Sequence, residues 1–178
     1  MKTITTKKIP AIIMKNKIYF HNNLKFLTVL IVLLFCSTIY SQQNNCSATL
    51  NAEKNRNSRS IPPDGTFYKM QITNTSLFVN SYIIVAENNN NNSENIDKSS
   101  TSSNVNLTFK LLDENKNPID KVKLNPGETL FFLVHAEVPS GTNYNKWCNT
   151  QIIAKSISCS NYEVETVLHT LVISSNSD

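Results

Sequence analysis

The residues best equipped for chemistry are His135 and His169, the cysteines at 46, 148 and 159, and the run Asp113-x-Asn115-x-Asn117 with Asp120 nearby. A hydrolytic triad needs a nucleophile on a sharp exposed turn with a histidine base in reach, and no G-x-S-x-G elbow or comparable turn occurs. Both histidines stand inside alternating apolar stretches, His135 beside an outward Glu137, and read as structural. The acidic run resembles the start of a calcium loop. That loop requires glycine at its sixth place and glutamate at its twelfth, where this chain has Pro118 and Leu124. A hairpin turn is the better reading. No Cys-x-x-Cys or Cys/His spacing suits zinc or redox work, so the three cysteines predict one disulfide and one free thiol in an oxidising compartment. The sequence does not choose among the pairs 46–148, 46–159 and 148–159. No catalytic residue, cofactor or metal site is assigned, and the chain reads as a non-enzyme.

The remaining chemical candidates are Tyr144 and Trp147, in the segment SGTNYNKW between two predicted strands. Aromatic faces on loops at the end of a rigid scaffold can stack on sugar rings, so this pair is the predicted ligand-binding site. The competing role for Trp147 is to cap the core, which needs only one acceptor for its indole N–H.

What positions these residues is an extracytoplasmic β-domain. Residues 1–41 begin with lysines, contain no acid, and run through LKFLTVLIVLLF (24–35) to Ser41. This is the layout of a signal peptide, with Gln42 as the expected mature start and Met14 as an alternative initiator. An apolar stretch of about a dozen residues is too short for a span of roughly 20, so no stable membrane span is expected after cleavage. Lipid anchoring at Cys36 is disfavoured because Phe35 stands where a small residue is needed. The formal charge of +4 is misleading. Residues 1–41 hold six of the 17 basic residues and none of the 13 acidic ones, leaving 11 against 13 in the rest. A domain of about −2 gives no footing to a nucleic-acid partner.

Residues 42–178 show strand-like alternation throughout, in eight bursts: 46–52, 66–74, 77–87, 105–112, 119–124, 129–138, 148–158 and 164–173. In 66–74, Tyr68, Met70 and Ile72 share one face. In 129–138, Leu130, Phe132, Val134, Ala136 and Val138 oppose Phe131, Leu133, His135 and Glu137. The asparagine- and serine-rich stretch 88–104 lacks large apolar side chains and predicts a flexible loop within the domain. The fold class is therefore all-β, an antiparallel sandwich of seven to eight strands.

The strings YKMQITNTS (68–76), VKLNPGETLFFLVHAEVPSG (122–141) and TQIIAKS (150–156) resemble segments of bacterial immunoglobulin-like and fibronectin type III-like domains. The group includes the NEW3 and DUF11 repeats of secreted Bacteroidetes proteins. The resemblance implies structural roles: Pro126-Gly127 for a turn, Pro139 for a strand exit, Ser156 for a buried-face contact. It also implies a secreted, periplasmic or cell-surface binding, adhesion or structural module whose partner is an envelope protein or surface polysaccharide. The alternative is a periplasmic chaperone or assembly factor, with an apolar edge groove.

Overall fold

The computed structural model describes residues 45–90 and 94–174. The leader read at 1–41 lies outside them. Among the described residues nine strands form two sheets: β1 (Ala48–Ala52), β2 (Ser58–Ile61), β3 (Thr66–Asn74), β4 (Asn80–Asn88), β5 (Thr108–Leu112), β6 (Lys121–Leu124), β7 (Thr129–Glu137), β8 (Lys146–Ser156) and β9 (Glu163–Val172). One sheet has the order β1-β3-β7-β5, the other β2-β9-β8-β4-β6. This is an immunoglobulin-like β-sandwich. Among the described residues no helix is long and apolar enough to cross a membrane.

Alternation explains the core. Tyr68, Met70, Ile72, Phe132, Val134 and Ala136 leave the four-stranded sheet inward and are fully buried. They meet Tyr82, Ile84, Leu124, Ile152, Leu168 and Val172 of the other sheet. Burial of each large side chain stabilises by about 1.5–3 kcal/mol. Polar groups inside the sandwich are hydrogen-bonded: the Tyr68 hydroxyl lies 2.7 Å from Thr170 Oγ1 and donates to the His169 carbonyl. Burial pushes the Tyr68 phenol up to about 12.

The strand count is nine, one more than the alternation predicts. The extra strand, β2, contributes SRSI with only Ile61 fully buried, so it carries no apolar period. It is also the exception to the antiparallel expectation, running parallel to β9 from Ser58–His169 to Ile61–Val172. The stretch read as one strand over 77–87 begins only at Asn80. Leu77, Phe78 and Val79 form an exposed loop, because Asn74, Ser76 and Asn80 fold the chain over side-chain hydrogen bonds. Asp113 closes the turn after β5 by accepting from Asn117 N and Nδ2 (2.7 and 3.0 Å). That turn is hairpin-like only as far as the Leu112–Pro118 bridge, since β5 and β6 then join opposite sheets.

The disulfide is Cys46–Cys159, spanning 113 residues of sequence and tying the start of β1 to the β8–β9 connection. Cys148 is the free thiol. It is fully buried and lies 3.2 Å from Asn88 Oδ1, and burial pushes its pKa up. A covalent dimer through it has no exposed sulfur to use. Ser156 stands at the end of β8, partly buried opposite Tyr82, and its contact on the inner face is with buried Cys46. Its hydroxyl accepts from Cys159 N and lies 3.3 Å from Cys46 Sγ. A disulfide sulfur has no proton, so the serine is the donor in that last contact.

Candidate functional site

β1 pairs with β3 only from Met70 to Asn74, which leaves Thr66–Lys69 of β3 without a neighbour on that side. The chain then crosses from one sheet to the other through a single 3-10 turn, Glu53–Asn55. Lys54 and Asn55 both adopt φ of 55°, a left-handed conformation that reverses the chain abruptly and costs side chains with a Cβ about 1 kcal/mol or more each. The result is a notch beside the outer face of the four-stranded sheet. Lys54, Arg56, Arg59, Phe67, Lys69, Lys116 and Leu133 line it together with Glu53, around a concavity of about 470 Å³.

Cross-strand register supplies the floor. Phe67 stands opposite His135, Lys69 opposite Leu133 and Gln71 opposite Phe131. The Phe67 and His135 rings stack at 4.1 Å with 10° between planes. Lys116 Nζ lies over the Phe67 ring at 5.5 Å, and the Arg59 guanidinium lies over Tyr68 at 5.6 Å. Each is within cation–π reach. Beyond Leu133 the notch opens into a second concavity of about 290 Å³, lined by Glu53, Lys69, Glu114, Phe131, Phe132 and Leu133. Phe131 is 43 % exposed although its neighbour Phe132 is fully buried, so an aromatic face stands open to water beside the cations.

Charge is distributed unevenly along this trough. Glu53 reaches Lys54 at 4.0 Å. Among the described residues no carboxylate comes within ion-pair distance of Arg56, Arg59, Lys69 or Lys116. The far side of the face is internally neutralised. Glu137 accepts from Lys110 at 2.5 Å and lies 3.2 Å from His135 Nδ1, and the Lys110 bond holds its carboxyl below the usual range. The basic lobe can thus receive anionic oxygens. The smaller lobe offers an apolar floor, with Glu53 and Glu114 to accept hydroxyl protons.

The predicted aromatic pair behaves differently. Tyr144 is 49 % exposed in the β7–β8 connection. Trp147, the second residue of β8, is half-buried and donates its indole N–H to Asp97 Oδ2 at 2.8 Å. Asp97 belongs to the stretch predicted to be flexible. Within it, residues 94–104 fold back on themselves: Asn95 is buried, and Asn95 and Asn104 exchange amide hydrogen bonds at 3.0 and 2.9 Å. Hydrogen bonds from Ser99 first, and from Trp147, hold the Asp97 carboxyl below its ordinary pKa. Trp147 is therefore engaged in closing a loop. His135 and His169 lie on different strands, and the latter's Nδ1 sits 2.8 Å from Asn149 Oδ1 with its pKa lowered by burial. Among the described residues no three His, Cys, Asp or Glu side chains gather as metal ligands.

A third concavity, about 400 Å³, opens between the two sheets where β4 and β5 run side by side, lined by Ile84, Ala86, Phe109, Leu111 and Ile119. Ile84 N bonds to Asp120 O and Ile119 N to Leu111 O, while Asn88 and Leu107 close the other end through the asparagine amide. By strand alternation Ala86 and Phe109 turn backbone groups into the slot between these closures.

Sequence reasoning overlooked the trough, although the outward set Phe131, Leu133 and His135 was visible in the alternation of β7. The missing signal was the crossover. Lys54, Arg56 and Arg59 reach the outer residues of β3 only because β1 stops early.

No protein-family profile matches the chain, and no curated protein does. Among solved structures it is similar to a family 123 glycoside hydrolase from Clostridium perfringens that acts on glycolipid glycans (8 % identity, TM-score 0.46). That alignment covers 72 % of this chain and 27 % of the hydrolase. A FixG-related protein from Vibrio parahaemolyticus aligns at 12 % identity and TM-score 0.44, over 72 % of this chain and 97 % of that one. The periplasmic chaperone SfaE aligns at 11 % identity and TM-score 0.40, over 72 % and 58 %. The chain thus spans about a quarter of the hydrolase and under two thirds of the chaperone. The likeness is one of sandwich architecture.

Proposed function

We propose that this protein is an extracytoplasmic, non-enzymatic binding module that holds an acidic polysaccharide in the trough on its four-stranded sheet. The observation that carries the reading is the set Arg56, Arg59, Lys69 and Lys116, without carboxylate partners among the described residues, beside the exposed Phe131. A uronic acid carries a carboxylate, hydroxyls and an apolar ring face. The basic lobe takes the first, Glu53 and Glu114 the second, and Phe131 and Leu133 the third. Arginine pairs with carboxylates in a two-pronged geometry, so Arg56 and Arg59 would set orientation and the lysines would add charge. The disulfide, which persists in oxidising compartments, supports the location. The finer kinship, with repeats of secreted Bacteroidetes proteins, belongs to this proposal too.

The test is affinity electrophoresis through gels containing polygalacturonate or a neutral glucan. The unsubstituted protein is expected to be retarded by the uronate alone. The double variant Arg56→Glu/Lys69→Glu is expected to run as in a plain gel. Equal retardation by both polymers, or retention in the double variant, would overturn the reading.

A second reading, an assembly factor that accepts a partner's strand, draws on the apolar slot between β4 and β5. The slot is short, closed at one end by the Ile84–Asp120 and Ile119–Leu111 bonds and at the other by Asn88 and Leu107, so it suits a short apolar segment better than a long strand.

A further inference from the structure

The other unexplained surface is the end of the sandwich that carries the disulfide. Leu77, Phe78 and Val79 stand 66, 50 and 47 % exposed in succession, and Ile83 and Ile157 add 43 and 46 %. Ile157 N bonds to Ser81 O, which holds the β8 exit against the start of β4, just past this loop. Contiguous exposed apolar residues at one tip mark an interaction surface.

The tip is built to stay in place. Buried Asn74 gives its Nδ2 protons to the carbonyls of Phe78, Leu124 and Asn125, and its Oδ1 accepts from Ser76 N and Oγ. Asn80 Nδ2 donates to Ser76 Oγ and Asn45 O. The three apolar side chains therefore cannot turn inward without breaking buried hydrogen bonds. Register then places cations just below them. Lys123 stands opposite Ser81, and Lys121 and Lys155 flank Ile83. The acids in the neighbourhood include Asp120, next to Lys121 in the chain, Glu163, across from Lys155, and Glu128, already engaged in capping Asn125 N. Among the described residues none of the three lysines has an ion-pair partner.

We propose that the Leu77–Val79 tip docks on an anionic lipid surface. Phe78 and Leu77 enter the acyl boundary, and Lys121, Lys123 and Lys155 face the headgroups. An apolar wedge ringed by cations matches a bilayer surface, apolar within and negative at its face. The inference is independent of the polysaccharide reading and uses other residues at another place in the fold: apolar side chains leading, cations behind.

The test uses the full chain carrying Phe78→Trp and vesicles of phosphatidylcholine with or without phosphatidylglycerol, the acyl chains brominated to quench indoles on contact. The native Trp147, at the other end of β8 and about 30 Å away by strand rise, is the internal control. The expected result is a blue shift and quenching of the introduced indole in anionic vesicles, with Trp147 unchanged in the unsubstituted chain. Replacing all three lysines by glutamine should weaken binding by more than about tenfold, since each is worth about fivefold near such a surface. An introduced indole that is not quenched would overturn the proposal. So would quenching that is equal on neutral vesicles and unaffected by the lysine changes, or an indole buried without vesicles because two copies associate through their tips.

Discussion

The trough on the four-stranded sheet and the Tyr144–Trp147 loop end both place aromatic rings near charge, but the loop end has one of its two rings, Trp147, tied down by a hydrogen bond, while Tyr144 and the trough's Phe131 stand open to water. At the loop end the indole of Trp147 is bound to Asp97 and covers a turn of polar residues. In the trough Phe131 faces water, and Arg56, Arg59, Lys69 and Lys116 have no carboxylate partner among the described residues. The contrast teaches that an aromatic residue on a loop signals a ligand site only when its polar edge and its faces are unclaimed. On this sandwich Trp147 has its polar edge claimed, whereas Tyr144 and Phe131 stand exposed.

The largest effect that separates the two regions comes from the disulfide. Cys159→Ser or reduction releases the anchor of β1, whose far end forms the trough wall. It should cost about 2–5 kcal/mol in denaturant unfolding. The Trp147 environment should persist in the folded fraction, and uronate retardation should weaken. Next, Arg56→Glu/Lys69→Glu should lower uronate affinity by about a hundredfold, given about 1.5–3 kcal/mol for a hydrogen bond to a charged group. Calorimetric titration reads that loss, and unfolding curves should be nearly unchanged because both side chains are exposed. Trp147→Phe should do the reverse, lowering thermal stability slightly and leaving uronate affinity intact. A Trp147→Phe variant that no longer binds would move the site to the loop end.

The smallest effect is a pH dependence. The folded Asp97 has its pKa depressed by Ser99 and Trp147, so its contribution is present above the ordinary carboxylate pKa and lost as pH falls through the depressed value. Trp147 emission should therefore stay constant through neutral and mildly acidic pH and change only below the usual carboxylate range. Asp97→Asn should abolish that step.

Much of the scaffold was readable because period-two alternation is a direct record of burial. Tyr68, Met70 and Ile72 on β3, and Phe132, Val134 and Ala136 on β7, point where the pattern says. The features that escaped have their causes in tertiary contact. β2 holds its place through backbone pairing to β9 and a single apolar residue, Ile61. Leu77–Val79 read as strand because apolar runs resemble buried strands, and what turns them outward is the hydrogen-bonding of Asn74, which no local pattern announces. The polar stretch 88–104 owes its described packing to Asn95, Asn104 and the distant Trp147. The disulfide pairing was one of three possibilities until the sheets brought Cys46 beside the β8–β9 connection and buried Cys148.

The most direct test of the trough is amide chemical-shift mapping of the isotope-labelled protein with an oligogalacturonate. The account predicts shifts confined to residues 53–59, 67–71, 114–116 and 131–135, with 95–97 and 144–147 unmoved. Perturbation centred on Tyr144 and Trp147, with the trough silent, would contradict it.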